Sequence, residues 1–87
     1  MITTSRYASE ETRKLANRIA DKLGIFYTSR GKKTIDSIVS DARKKGEHEI
    51  LVVEEENGKP AHIAIIEVSE LGEWKWTKKM KVSEYEG

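Results

Sequence analysis

The sequence predicts a single small α/β domain, with a mixed sheet of four to five strands and two helices. Apolar residues recur at helical spacing in residues 15–23 and 35–42, and each stretch follows a short β-prone segment. The continuous apolar run at residues 50–53 is typical of a strand covered on both faces. Asn57-Gly58 then predicts a tight hairpin turn. These signals together give the order βαβαβββ.

Capping residues predict where the two helices begin and end. Ser9 is the expected N-cap of the first helix, which has acidic residues in its first turn and ends at Gly24. Thr34 is the expected cap of the second helix, and Gly46 ends it. The strands are expected at residues 2–5, 25–28, 50–53, 61–68 and 74–82, and residues 83–87 are expected to fray.

The last strand alternates between apolar and basic residues. Trp74, Trp76, Met80 and Val82 are predicted to share one face, with lysines on the other. Lysines of this kind discourage unwanted pairing at the edge of a sheet. The tryptophans have two interpretations, stacking on unpaired bases or packing in a core or interface. The sequence favours the second, so Trp74, Trp76 and Met80 are the predicted interface residues.

Composition limits the classes of function. The chain has 87 residues, 36% of them charged and 37% hydrophobic, which fits one domain with one core. The absence of cysteine excludes disulfides and thiolate chemistry. No apolar run has the length of a membrane span, and the first residues lack a signal-peptide pattern, so we expect a cytoplasmic protein without a membrane partner. Abundant Lys and Glu with few thermolabile residues indicate a thermophile.

Charge is distributed unevenly along the chain. Residues 1–45 contain 11 Lys and Arg against 5 Asp and Glu, whereas residues 46–87 contain 5 against 10. The net charge of the whole chain is therefore only +1. A basic half beside an acidic half suggests a surface with one side that faces nucleic acid. The alternative is that folding intermixes these charges in space.

Two strand-to-helix junctions carry the residue types that bind phosphate. One is Thr4-Ser5-Arg6, and the other runs from Ser29 to Thr34 as Ser-Arg-Gly-Lys-Lys-Thr. Helix N-termini attract phosphate, and hydroxyl and cationic side chains donate to its oxygens. In a parallel sheet both junctions lie at the carboxyl ends of strands, which predicts one basic rim. The alternative is a solvated connector. The predicted RNA-binding residues are Thr4, Ser5, Arg6, Ser29, Arg30, Gly31, Lys32, Lys33 and Thr34, extended by Arg43, Lys44 and Lys45.

The sequence does not favour catalysis. Gly31-Lys32 lacks the upstream glycine of a phosphate-binding loop of nucleotide hydrolases, and Lys33 stands where that motif has Ser or Thr. His48 and His62 have no cysteines or clustered carboxylates at metal-ligand spacing. We therefore predict no catalytic residues, no metal and no cofactor.

Several segments resemble archaeal Brix-domain ribosome biogenesis proteins. The opening Ile2-Thr3-Thr4-Ser5-Arg6, the run from Ser29 to Ile35, the apolar run at residues 50–53 and the turn at residues 57–60 match in order. The resemblance covers roughly residues 1–68, and Arg-Gly-Lys-Lys-Thr is its most specific part. It implies a fold like the anticodon-binding domain of class IIa aminoacyl-tRNA synthetases. It also implies binding of ribosomal RNA or its precursor, with ribosome assembly proteins as further partners.

The resemblance extends to only the first half of a Brix domain. Brix domains contain two such halves, and the segment after Val68 does not lead into a second one. A half domain alone would expose an apolar face, so we expect two copies to form a homodimer near residues 74–82. Two alternatives to an RNA-binding assembly factor stay open. One is a protein-interaction module that uses the edge strand and the tryptophans, and the other is a tRNA-binding domain of the anticodon-binding type.

Overall fold

The computed structural model describes residues 1–86, and these residues form four strands and three helices. In chain order the elements are β1 (Ile2–Thr4), α1 (Glu10–Leu23), α2 (Ile35–Lys44), β2 (Glu49–Glu56), β3 (Lys59–Val68), β4 (Trp74–Lys81) and α3 (Val82–Glu86). The predicted α/β class and mixed sheet are confirmed, and the order is βααβββα. Within these residues, no helix is both long and apolar enough to span a membrane.

The four strands form one sheet in the order β1-β2-β3-β4. β1 runs parallel to β2, with Ile2 opposite Leu51, whereas the other neighbours are antiparallel. The predicted turn joins β2 to β3, because Asn57 and Gly58 both have positive φ, at 54° and 76°. Because the last residue of β1, Thr4, pairs with Val53, the acidic end of β2 and its hairpin extend beyond the carboxyl end of β1.

The two long helices pack on opposite faces of the sheet. α1 begins at the cap Ser9 and ends at Gly24, as predicted, and it buries Leu15 and Ile19 against one face. α2 begins at its cap Thr34 and buries Ile38 and other apolar residues against the opposite face. The sheet is thus covered on both sides, which explains why all three residues of β1 are buried.

The strand predicted at residues 25–28 is reduced to a single bridge. Tyr27 bridges to Ile2 in the parallel direction, through Ile2 N–H to Phe26 O (2.8 Å) and Thr28 N–H to Ile2 O (2.9 Å). The Thr3 hydroxyl then donates to Thr28 O at 2.6 Å, where a continued ladder would place a backbone amide. The predicted path is correct, but the regular strand is not present.

A β-bulge at Thr77 divides the predicted apolar face of β4. Trp76 lies opposite Ile66 and Lys78 lies opposite Ile65, so Thr77 has no partner across the ladder. Because side chains alternate along a strand, the additional residue reverses the faces that follow it. Trp74 packs with the cluster under α2, whereas Met80 and Val82 pack with the cluster under α1. The prediction that these residues share one face was wrong.

The chain after β4 forms a short helix where the sequence predicts a frayed tail. Residues Val82–Glu86 make up α3, and Val82 packs with the α1 side of the core. The Glu84 carboxylate accepts a hydrogen bond from the backbone N–H of Lys81 at 3.4 Å. Gly87, also part of the predicted tail, lies outside the described residues.

Candidate nucleic-acid interface

The two predicted junctions are hydrogen-bonded to each other at the carboxyl end of β1. The backbone N–H of Tyr7 donates to Gly31 O at 3.0 Å, and Arg6 Nη2 donates to Lys32 O at 3.1 Å. The chain leaves β1 and the adjacent Tyr27 segment towards helices on opposite faces, which is the point where open α/β sheets form ligand crevices. We call this surface, formed by residues 5–8 and 29–34, the switch-point rim. It places exposed Arg6 beside exposed Lys32.

Arg30 is a buried support of the rim, which corrects its predicted role as a phosphate contact. Its side chain is only 6% exposed, with Nε donating to Lys33 O at 2.6 Å and Nη1 donating to Thr4 O at 3.0 Å. Arg30 therefore joins both loops by backbone carbonyls. Burial, and after it the positive charge of Arg6, lowers the pKa of Arg30. Two like charges close together at this edge favour an anion nearby.

Thr4 and Ser5 are also structural and do not form a contact surface. Thr4 is 1% exposed, and its hydroxyl donates to Ser5 O at 3.0 Å. Ser5 Oγ exposes less than 1 Å² and has no hydrogen-bond partner within residues 1–86. Both hydroxyls are too enclosed to meet an RNA phosphate, which corrects the prediction that they contact one.

The remaining predicted residues of the second loop are exposed. Gly31 has φ +52°, a left-handed conformation that favours glycine. Lys33 Nζ lies 3.7 Å from an Asp41 carboxylate oxygen, a loose surface ion pair. Thr34 Oγ1 accepts from the backbone N–H of Ser37 at 3.2 Å, so this hydroxyl caps α2. Ser29, Gly31, Lys32, Lys33 and Thr34 all lie at the surface.

Arg43, Lys44 and Lys45 are exposed but lie away from the switch-point rim. α2 begins at the rim and has 10 residues, so its last turn is about 15 Å away along the helix. Lys45 Nζ lies 5.3 Å from the ring centroid of Phe26, whose carbonyl accepts from the Ile2 N–H at the amino end of β1, whereas the rim is at the carboxyl end. These three cations form a second basic surface and do not extend the first one as predicted.

Glu55 lies at the N-terminus of α1, a position that sequence reasoning did not identify. Its Oε2 accepts from the Ser9 backbone N–H at 2.8 Å and from the Thr12 hydroxyl at 2.6 Å. Hydrogen bonding by the Ser9 and Thr12 side chains and by the Ser9 amide holds the pKa of Glu55 below its ordinary value. A protein carboxylate thus occupies the N-terminus of α1, where the helix dipole favours negative charge.

Replacing Glu55 with Gln is expected to weaken the domain by about 1–2 kcal/mol at neutral pH, because charge-assisted hydrogen bonds are lost. Since folding lowers this pKa from 4.5, the stabilisation is present above pH 4.5 and is lost as pH falls through the lower folded value. Urea unfolding from pH 7 to pH 3 measures it. Glu56→Gln, at the exposed neighbour, is the control. Identical pH profiles for both variants and the parent would contradict the assignment.

Tyr7 is a second residue of the rim that sequence reasoning missed. Its side chain is 73% exposed, and the Arg6 guanidinium carbon lies 6.0 Å from its ring centroid. Its φ of 54° is in the left-handed region that bulky residues rarely adopt. The signal that would have identified Tyr7 is an aromatic residue directly after the basic residue of a strand-to-helix junction.

The predicted interface residues are divided between two surfaces. Trp74 is half-buried, and its indole N–H donates to an Asp36 carboxylate oxygen of α2 at 3.0 Å. Trp76 is 47% exposed and meets the Trp74 ring edge to face, with centroids 6.3 Å apart. Met80 packs on the other face of the sheet. Core packing therefore accounts for Trp74 and Met80. Of the three predicted interface residues, Trp76 is the one with a large exposed apolar side chain.

The fold is a doubly wound α/β domain in which two basic loops meet at the carboxyl end of β1. Solved structures share this fold. A probable ribosomal biogenesis protein from Aeropyrum pernix K1 superposes with a TM-score of 0.85 at 26% identity, over 93% of this chain and 46% of that one. Mil, an archaeal Imp4-like protein, gives a TM-score of 0.69 at 33% identity, over 84% of this chain and 45% of that one.

Sequence comparison leads to the same group of proteins. A probable Brix domain-containing ribosomal biogenesis protein of Methanothermobacter thermautotrophicus is 33% identical over 67 residues, covering 77% of this chain and 41% of that protein. No protein-family model matches the chain. The chain spans about half the length of the relatives it matches. It is a homologue of about half of an archaeal Brix-domain ribosomal biogenesis protein, which confirms the resemblance.

Proposed function

We propose that this domain is a non-catalytic ribosome biogenesis factor that binds ribosomal RNA or its precursor through the switch-point rim. The observation that carries the proposal is the set of hydrogen bonds between the two loops, which holds Arg6 and Lys32 side by side at the surface. Buried Arg30 beneath them adds positive charge and rigidity. Cationic groups held in fixed positions bind phosphates without first losing conformational freedom.

The relatives support the ribosomal assignment, since their descriptions name ribosomal biogenesis. We infer that the matched half is the N-terminal one and that the domain acts in the cytoplasm of a thermophilic archaeon. Assembly proteins are further partners that this assignment suggests. A domain of the anticodon-binding type that prefers tRNA is the alternative within the same fold. Competition between ribosomal RNA fragments and tRNA distinguishes these two ligands.

Replacing Arg6 and Lys32 together with Ala is expected to weaken binding of a ribosomal RNA fragment roughly ten-fold near 0.1 M salt, because two phosphate contacts are lost. The slope of log affinity against log salt should fall by about two. Fluorescence anisotropy over a salt series measures both quantities.

The matched control replaces Lys44 and Lys45 together with Ala. This variant loses the same amount of positive charge, but from the second basic surface. If the control weakens binding equally, general charge and not the rim is responsible. Unchanged affinity in the Arg6 and Lys32 variant would remove the rim as the RNA site.

A second candidate function is a protein-interaction module, including the homodimer, and the open edge of β4 favours it. Within residues 1–86, β3 is the one sheet neighbour of β4, and Trp76 is exposed on β4. Symmetric pairing of two β4 strands would, however, bring together Lys75, Lys78, Lys79 and Lys81, in a strand without any acidic residue. Light scattering at micromolar concentration tests this function, and a stable 19.8 kDa species, twice 9.9 kDa, would support it.

A further inference from the structure

The exposed aromatic ring on the switch-point rim needs an explanation that folding does not supply. Tyr7 leaves 73% of its surface in water, and its φ of 54° is unfavourable for a large L-residue. Both features reduce stability, and neither is compensated by burial of the ring. Backbone strain of this kind concentrates at functional sites, where the surrounding structure holds it in place.

The surrounding hydrogen bonds hold Tyr7 in this position. Its backbone N–H donates to Gly31 O at 3.0 Å, so the strained residue is fixed to the second basic loop. On one side the Arg6 guanidinium lies 6.0 Å from the ring centroid. Arg6 itself is held by its bond to Lys32 O. The ring is therefore presented to solvent from a fixed backbone, with the Arg6 guanidinium beside it and Lys32 in the adjoining loop.

We propose that Tyr7 stacks on an unpaired base of the bound RNA, so that the switch-point rim selects RNA with single-stranded nucleotides. This inference rests on the proposed RNA-binding function. The phosphates on either side of the stacked base reach Arg6 and Lys32, while the ring covers the base. A duplex keeps its bases within its own stack and offers only phosphates to the same rim.

Two labelled RNA probes test the inference: a single-stranded oligonucleotide and a fully paired duplex with the same number of phosphates. Tyr7→Leu keeps an apolar side chain but removes the aromatic face, whereas Tyr7→Phe keeps the ring. Base–aromatic stacking predicts that Tyr7→Leu loses about 5- to 100-fold in affinity for the single strand and less than about two-fold for the duplex. Tyr7→Phe should bind both probes like the parent chain.

The matched control is Phe26→Leu. Phe26 is also exposed, at 59%, beside a lysine that lies 5.3 Å from its ring centroid, but it lies at the amino end of β1, where its carbonyl accepts from the Ile2 N–H, and not in the rim. This variant should leave both affinities unchanged. If it weakens single-strand binding as much as Tyr7→Leu does, any exposed ring suffices and the inference is overturned.

Stability provides a second measurement that does not depend on RNA. Tyr7→Gly relieves the left-handed strain and keeps the amide that binds Gly31 O. We expect its urea midpoint to rise while its affinity for the single strand falls. A lower midpoint would show that the ring supports folding, which would overturn the assignment of the strain to function.

The outcomes separate this inference from the function on which it rests. If the Arg6 and Lys32 variant weakens both probes but Tyr7→Leu weakens neither, or weakens both equally, the rim binds RNA and stacking is refuted. If the parent chain binds neither probe, the proposed function and the stacking both fail. A loss of affinity in Tyr7→Leu that is confined to the single strand supports both the proposed function and the stacking.

Discussion

Replacing Arg30 with Ala is expected to lower the free energy of unfolding by about 2–4 kcal/mol, a large effect for a domain of this size. The guanidinium satisfies the carbonyls of Lys33 and Thr4, and its removal leaves both without this donor inside the structure. Arg30→Lys should recover only part of the loss, because an ammonium lacks the planar fork that reaches both loops. Urea unfolding at pH 7 measures these differences.

Lys32→Ala is the matched control, since it removes a positive charge from the same loop without removing a buried donor. Its stability should remain within about 0.5 kcal/mol of the parent chain. Equal stability of the Arg30→Ala and Lys32→Ala variants would show that Arg30 does not support the rim. RNA affinity of Arg30→Ala should be compared only under conditions where circular dichroism shows that it is folded.

Deleting Thr77 is expected to destabilise the domain by about 2–4 kcal/mol, because removal of the bulge forces one half of β4 onto the wrong face. Either Trp74 leaves the cluster under α2 and its hydrogen bond to Asp36, or Met80 leaves the cluster under α1. Chemical unfolding monitored by tryptophan fluorescence measures the loss.

Thr77→Ala separates the bulge from the side chain. The Thr77 hydroxyl makes one long, exposed hydrogen bond to Ile65 O at 3.4 Å, so this substitution should cost no more than about 0.5 kcal/mol. A deletion variant as stable as Thr77→Ala would mean that the sheet tolerates either register. The bulge would then not determine which faces Trp74 and Met80 occupy.

The sequence predicts the helices and the hairpin well because their signals are local. Ser9, Gly24 and Thr34 cap helices for reasons contained within a few residues. Asn57-Gly58 likewise determines its turn without distant contacts. The approach of the two strand-to-helix loops also follows from the predicted topology, since both leave neighbouring strands at the same edge.

The errors concern contacts between distant segments. Nothing near Arg30 in the sequence indicates that its guanidinium will donate to the carbonyl of Thr4. Likewise, nothing near Glu55 indicates that its carboxylate will accept from the Ser9 amide. The Glu55 contact follows from the parallel register of β1 and β2, and the Arg30 contact follows from the parallel bridge between Ile2 and Tyr27; local pattern reveals neither. The bulge is similar, because an additional residue in β4 is visible only when β3 is placed beside it.

The pairing of β1 with a strand from much later in the sequence has a consequence for synthesis. Ile2 leaves the ribosome before its ladder partner Leu51, and Leu51 in turn pairs with Ile65, which follows later still. The nascent β1 segment must therefore remain without its sheet neighbour until β2 and β3 have emerged. Protection of the Ile2–Thr4 amides from hydrogen exchange should consequently appear late, together with that of the β2–β3 hairpin.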